Sequence, residues 1–264
     1  MFALITFTQY LAMVWSKREL IIYLVKSNLK LSTARTFLGY LWWAIDPLLY
    51  MSVYYLLVEV IFERGGENFA AYLFIALIPW KWTISSIVDA TGSINSNASI
   101  IKQLPVPKVI FPITNVFVNS FRFLVGVCVL IIFLIVYGIP ITPYALLYPV
   151  IMIVQLTFLM AFALIFALLG TFIRDTKNMI QYFLRLWFYL SPGIYMIDRI
   201  PDSLQFYLWL NPITHFFMGY RDLLLYHQFP NFWGLGLIFV ISLVVIVFGL
   251  NKFKKLESEF AKVV

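Results

Sequence analysis

Long apolar runs alternate with short polar knots along this chain. Six runs reach or approach the roughly 20 residues that a membrane-crossing helix needs. They cover about residues 37–62, 69–88, 109–137, 144–173, 179–196 and 232–250. The pattern predicts an all-α integral membrane protein with six spans. Ahead of the first span, from about Thr8 to Thr36, the pattern changes. Lys17, Arg18, Glu19, Lys26, Lys30 and Arg35 interrupt Leu20, Ile21, Leu24 and Leu31. A helix of that kind lies in the membrane interface, so residues 1–36 read as an N-terminal interfacial helix. A solvated surface helix is the alternative.

Two polar connections carry structure of their own. Between spans 2 and 3, residues 89–108 include "SINSNASIIKQLPVPK". Asn97 is placed to cap a short helix carrying Ile100, Ile101 and Lys102. Pro105 and Pro107 then stop it. Such a helix, with Leu104 adding apolar surface, suits a docking partner; a plain loop is the alternative. Between spans 5 and 6, residues 197–231 offer two helices too short to span. Asp202 or Ser203 caps the first, which follows Pro201 and carries Phe206 and Trp209. Asn211 caps the second, with Pro212 at its first position and Phe216 beyond. They read as short re-entrant helices forming an outer gate, or as an aromatic belt at the interface. Two breaks are also legible. Gly65-Gly66 marks a turn after span 1, and Ser191-Pro192-Gly193 interrupts span 5.

Composition agrees with the pattern. Of 264 residues, 62% are hydrophobic and 12% charged, whereas a soluble domain carries about 45–50% apolar and about 25% charged. The start, "MFALITFTQYLAMVW", lacks the basic region and cleavage site of a signal peptide. The lone Cys128 excludes an intrachain disulfide.

The net charge of +7 is a topology signal. On the side of the termini the count of Lys and Arg is 13, against Arg64, Arg199 and Arg221 on the other. Cytoplasmic loops carry such an excess, which places both termini in the cytoplasm and leaves nucleic acid no role. No internal repeat is present.

Chemistry is sparse. His215 and His227 stand alone, no HExxH or GxSxG occurs, and there is no phosphate-binding loop. The chain is expected to catalyse nothing alone and to hold no cofactor or metal. If ATP drives it, ATP and Mg bind another chain. On span 1, Tyr40, Trp43, Pro47, Tyr50 and Tyr54 recur at spacings of three or four and share one helix face. Aromatic faces of this kind suit stacking on sugar rings, although such a stripe also serves packing. Asp46, Lys81, Arg122 and Arg185 lie inside spans, where charges tend to face a bundle interior or a wet cavity. Three cations at depth favour a polyanionic cargo. The alternatives are that Lys81 snorkels between Trp80 and Trp82, or that one cation pairs with Asp46.

Several segments together resemble a family. They are "RELIIYLVKSNLKLSTARTFLGYLWWAIDPLL", "LIPWKW", "SINSNASIIKQLPVPKVIFPI", "FIRDTKN" and "SPGIYMIDRIPDSLQFYLWLNPITHFFMGYRDLLLY". In order and spacing, over nearly the whole chain, they resemble the permease subunits of ABC exporters for lipid-linked cell-surface polymers. The last segment looks most like the wall teichoic acid branch. O-antigen and capsule permeases belong to the same group.

The resemblance implies one transmembrane permease domain over 1–264, in the bacterial cytoplasmic membrane. It implies a homodimer, two ATP-binding cassette ATPase subunits and a polyprenyl-diphosphate-linked anionic polymer as substrate. The front helix (Lys17, Arg18) and the Asn97–Gln103 helix (Ile100, Ile101, Lys102) would contact the ATPase. The stripe Tyr40, Trp43, Tyr50 and Tyr54, with Lys81, Arg122 and Arg185, would line the polymer path. Two other functions stand against that reading. One is a membrane transferase using a polyprenyl phosphate, with Asp89 and Asp175 as its inner carboxylates. The other is a membrane subunit that moves nothing.

Overall fold

The computed structural model describes residues 6–34, 36–63, 66–173, 175–197 and 200–263. Arg35, Arg64, Arg174 and Arg199 of the charge count, Gly65 of the expected turn, and the Lys262 side chain lie outside the described residues. All described elements are helical.

Two helices, α1 (Phe7–Ser16) and α2 (Arg18–Thr33), precede the first span. The expected single amphipathic helix is thus divided at Lys17. Thr6 opens α1 with a capping box. Its hydroxyl accepts from the Gln9 amide at 3.3 Å, and the Gln9 side chain accepts from the Thr6 amide at 2.7 Å.

Among the described residues, five helices are long and apolar enough to cross a membrane: Gly39–Ile61, Phe69–Thr91, Ile110–Tyr137, Pro143–Phe172 and Phe232–Phe260. The first contains α3 (Trp42–Tyr55). The others contain or belong to α4 (Phe69–Thr91), α7 (Ile110–Tyr137), α8 (Tyr148–Phe172) and α12 (Phe232–Val263). Between α4 and α7 lie α5 (Ser93–Ser96) and α6 (Ala98–Gln103).

The expected fifth span takes a different form. It is α9 (Thr176–Tyr189), 14 residues long. At 1.5 Å per residue it rises about 21 Å, short of the roughly 30 Å hydrocarbon core. The break at Ser191-Pro192-Gly193 ends it. Then come α10 (Asp202–Trp209) and α11 (Pro212–Leu224), the two short helices expected there.

Helix α4 is the centre of the molecule. It is buried over most of its surface, with Lys81, Ser85 and Asp89 on the one face that stays open, and α3, α7, α8, α9 and α11 surround it. A polar network crosses this core. The Gln155 amide of α8 donates to the Pro79 carbonyl and the Thr83 hydroxyl of α4, both at 3.0 Å. Tyr220 of α11 donates to Gln155 at 2.9 Å. Helix α12 packs along α8, and α8 closes on α4 through Gly170, where a Cβ would collide with the Thr91 carbonyl.

A second apolar cluster sits at the end of the bundle that carries both termini. Tyr10, Ile94, Ile101, Phe111, Leu168, Phe253 and Phe260 meet there. Glu257, almost fully buried, ties it together. Its carboxylate accepts from the Tyr10 hydroxyl at 3.2 Å and the Lys108 amide at 2.9 Å, and pairs with the Lys108 ammonium at 3.3 Å. Burial, reinforced by that carboxylate, pushes the Tyr10 hydroxyl's pKa up.

Candidate functional site

The aromatic stripe and the charges inside the spans meet in one place. Pro47 is buried and seats α3 against the bundle, while Tyr40 and Tyr50 stay exposed. Tyr40 packs edge-on against Trp43 at 5.0 Å, and Trp43 against Phe121 of α7 at 6.0 Å. Lower on the same face the Tyr54 hydroxyl lies 3.5 Å from that of Tyr189 on α9.

Two adjoining cavities of about 420 and 520 Å³ open along this face. Both touch Asp46, Pro47, Lys81 and Ser85. The first adds Trp43, Asn119 and Arg122. The second adds Tyr50, Tyr54, Asp89, Gln181, Arg185 and Tyr189. The groove therefore gathers Trp43, Tyr50, Tyr54, Lys81, Arg122 and Arg185 as expected, with Tyr40 stacked at its edge.

Charge is where the structure changes the reading. Lys81 is ion-paired with Asp46, one helix away, and its ammonium sits 5.6 Å from the Tyr50 ring centre. Arg122 donates to the Asn119 side-chain Oδ1 at 3.1 Å, and the Asn119 side-chain amide donates to the Asp89 carboxylate at 2.9 Å. Arg185 lies over Tyr182 at 5.6 Å. Three cations thus face two carboxylates, Asp46 and Asp89. The expected excess of positive charge is largely compensated, because the sequence separates partners that the fold brings together. Sequence reasoning missed Asp89, Asn119, Gln181 and Tyr189 as groove residues.

At the end of the groove away from the termini, α9 and α11 are stapled together. Asn211 caps α11 as expected, accepting from the Ile213 amide at 3.0 Å. It also accepts from the Trp187 indole at 2.9 Å and donates to Ser191 at 2.7 Å. Helix α10 starts one residue earlier than expected. Pro201 holds the cap position, and neither Asp202 nor Ser203 supplies a capping side chain. Phe206 is exposed, Trp209 is half-buried against His215, and Phe216 is buried against Phe158. Burial lowers the His215 pKa.

Arg221 was read from the sequence only as an outer-side charge. It is fully buried. Its guanidinium donates to the carbonyls of Tyr72 (3.1 Å), Pro192 (2.6 Å) and Gly193 (2.9 Å) and stacks on the Tyr72 ring at 3.3 Å. It satisfies the backbone exposed by the α9 break. Its place at four residues from Phe217, one helical turn along the buried face, was the available signal.

At the opposite end, Asn97 occupies the cap position of α6 but does not cap it. Its amide donates back to the Ser93 carbonyl at 2.8 Å. Ile101 is buried in the protein's own cluster and Ile100 half-buried beside it. The exposed surface of this helix is Ser99, Lys102 and Gln103, continued by Leu104. Lys17 joins α1 to α2, and Arg18 lines an apolar groove behind α2. Glu257, on one helix face with Phe253 and Phe260, also went unnoticed.

Residues 107–225, from the start of α7 to the end of α11, match the family model described as ABC-2 type transporter. The chain is 30% identical over 246 residues to an O-antigen export system permease protein RfbA of Klebsiella pneumoniae. That alignment covers 93% of this chain and 95% of the relative. A protein of the same name from Myxococcus xanthus is 29% identical over 247 residues, with the same coverage. A helical bundle with several membrane-length apolar helices and similarity over 93% of the chain agree. The chain belongs to the ABC-2 type transporter family, as a permease: a non-catalytic membrane subunit whose partner is an ABC ATPase.

Proposed function

We propose that this permease exports a lipid-linked cell-surface polysaccharide of the O-antigen kind. The carrying observation is the groove itself. Its walls are Trp43, Tyr50, Tyr54 and Tyr189, and its cations are largely matched by Asp46 and Asp89. Flat aromatic faces stack on sugar rings irrespective of charge, and a nearly balanced groove does not trap an uncharged polymer. The relatives named for O-antigen export support the same reading. A polyol phosphate polymer such as wall teichoic acid is the second reading, favoured by Arg185, which has no carboxylate partner of its own among the described residues.

In this proposal both termini are cytoplasmic and the functional unit is two copies of this chain with two ATPase subunits. The outward faces of α3 and α9, including Tyr50, Val53, Leu186 and Tyr189, are exposed in the single chain. A second copy set against them encloses the groove. ATP binding draws the ATPase subunits together, and the exposed part of α6 (Lys102, Gln103) with Lys17 transmits that motion. Helices α10 and α11 close the outer end, with Phe206 and Trp209 at its surface, and α9 with the Ser191–Gly193 break completes the sixth crossing.

The test is ATPase stimulation of the purified complex in vesicles. Lipid-linked neutral polysaccharide should stimulate it, and the Trp43→Ala/Tyr50→Ala double variant should lose most of that response. Stimulation by a polyol phosphate polymer alone would overturn the polysaccharide reading.

A further inference from the structure

A further groove of about 1,070 Å³ lies between α1 and α2 on one side and α7, α8 and α12 on the other, and Phe121, which packs against Trp43, borders it. Val14, Ile22 and Leu29 form one wall. Phe117 and Leu124 of α7 and Leu250 of α12 form the other. The volume lies just above the roughly 300–1,000 Å³ range of small-molecule sites. Its lining is apolar except for Ser120, whose hydroxyl is already used on the Val116 carbonyl at 2.7 Å, and for Arg18 and Lys26. Those two cations stand eight residues apart on one face of α2. Neither forms an ion pair among the described residues, and Glu19, the adjacent acid, does not line the groove.

Depth identifies the occupant. From Ile113 to Leu124 the wall on α7 covers eleven residue steps, a rise of about 16 Å. That is about half the roughly 30 Å hydrocarbon core, the thickness of one leaflet. An extended polypeptide segment in this groove would leave its backbone groups facing hydrocarbon, and an apolar helix, which would not, would supply no anion to Arg18 and Lys26. An acyl chain has none. Arg18 and Lys26, both exposed, match a phosphate, as basic pockets beside membrane helices do for anionic lipid headgroups.

We propose that this groove is a binding site for an anionic glycerophospholipid drawn from the leaflet on the side of the chain termini. Its acyl chains lie along α7 and its phosphate sits between Arg18 and Lys26. The lipid wedges α1 and α2 against the bundle and so fixes the helices that lead into span 1. The inference is independent of which polymer is exported.

The test uses native mass spectrometry of the full-length chain purified with its ATPase partner and offered phosphatidylglycerol, phosphatidylcholine and polyprenyl phosphate. The wild type should retain phosphatidylglycerol over phosphatidylcholine. The Arg18→Gln/Lys26→Gln variant should lose about thirtyfold in that retention, the effect of removing two juxtamembrane cations. The Arg18→Lys/Lys26→Arg variant, which keeps both charges, should retain it. If the neutral variant does not fold, a salt series on the wild type decides, because exposed ion pairing weakens with ionic strength. Equal retention in the neutral variant, or salt-independent retention, overturns the proposal. Retention of polyprenyl phosphate in preference to phosphatidylglycerol also overturns it and assigns the groove to the carrier lipid.

Discussion

Replacing Arg221 with methionine keeps a long, largely apolar side chain and removes every guanidinium donor. Three carbonyls then lose their partner: Tyr72, Pro192 and Gly193. None can reach water through a side chain that is 0% exposed. Hydrogen bonds to charged groups contribute about 1.5–3 kcal/mol each, so three set an upper bound. Relief of the desolvation penalty of a buried charge offsets part of this. Each carbonyl left buried without a donor costs about 1–3 kcal/mol, so the net loss after that relief should be about 3–5 kcal/mol. For a chain of this size, each kcal/mol shifts the midpoint by about 2–4 °C. Thermal unfolding of the purified protein in detergent, followed by tryptophan fluorescence, should show a fall of about 10 °C. Arg221→Lys, able to serve one carbonyl at a time, should fall between. A change under about 2 °C for the methionine variant would refute the idea that Arg221 holds α11 onto the broken end of α9.

Other substitutions probe other joints. Gly170→Ala places a methyl group against the Thr91 backbone of α4, and should destabilise by about 1–3 kcal/mol, read as a lower unfolding midpoint. Glu257→Ala removes the carboxylate shared by Tyr10 and Lys108. Limited proteolysis should then cut near α1 faster, while Glu257→Gln, which can still accept from the Lys108 amide, should lie between. His215 has a pKa below its ordinary value because it is buried. A base with a depressed folded pKa loses stability as pH falls through its unfolded value of about 6.5. Stability measured from pH 8 to 5 should therefore drop below about 6.5 in the wild type, and by less in His215→Gln.

Much of this protein is written in the order of its residues. Apolar run length set four spans nearly to their ends and the start of the last, whose helix runs on past the expected end near Leu250 to Phe260, because a helix in hydrocarbon must satisfy its own backbone and needs a fixed length to cross. The short helix after Asn211 was legible because capping is local chemistry, whereas the one after Pro201 forms without the side-chain cap that was expected. The face shared by Tyr40, Trp43, Tyr50 and Tyr54 follows from helical period alone. What could not be read was every pairing across helices. Asp46 meets Lys81, Asp89 reaches Arg122 through Asn119, and Glu257 gathers Tyr10 and Lys108. Arg221 sits under the α9 break instead of in solvent. Sequence determined which charges and aromatics this protein possesses and roughly how deep each lies. Tertiary structure decided which of them neutralise one another. That decision turned a groove expected to be cationic into a nearly balanced aromatic one, since Coulombic and hydrogen-bond energies depend on distances that only packing sets.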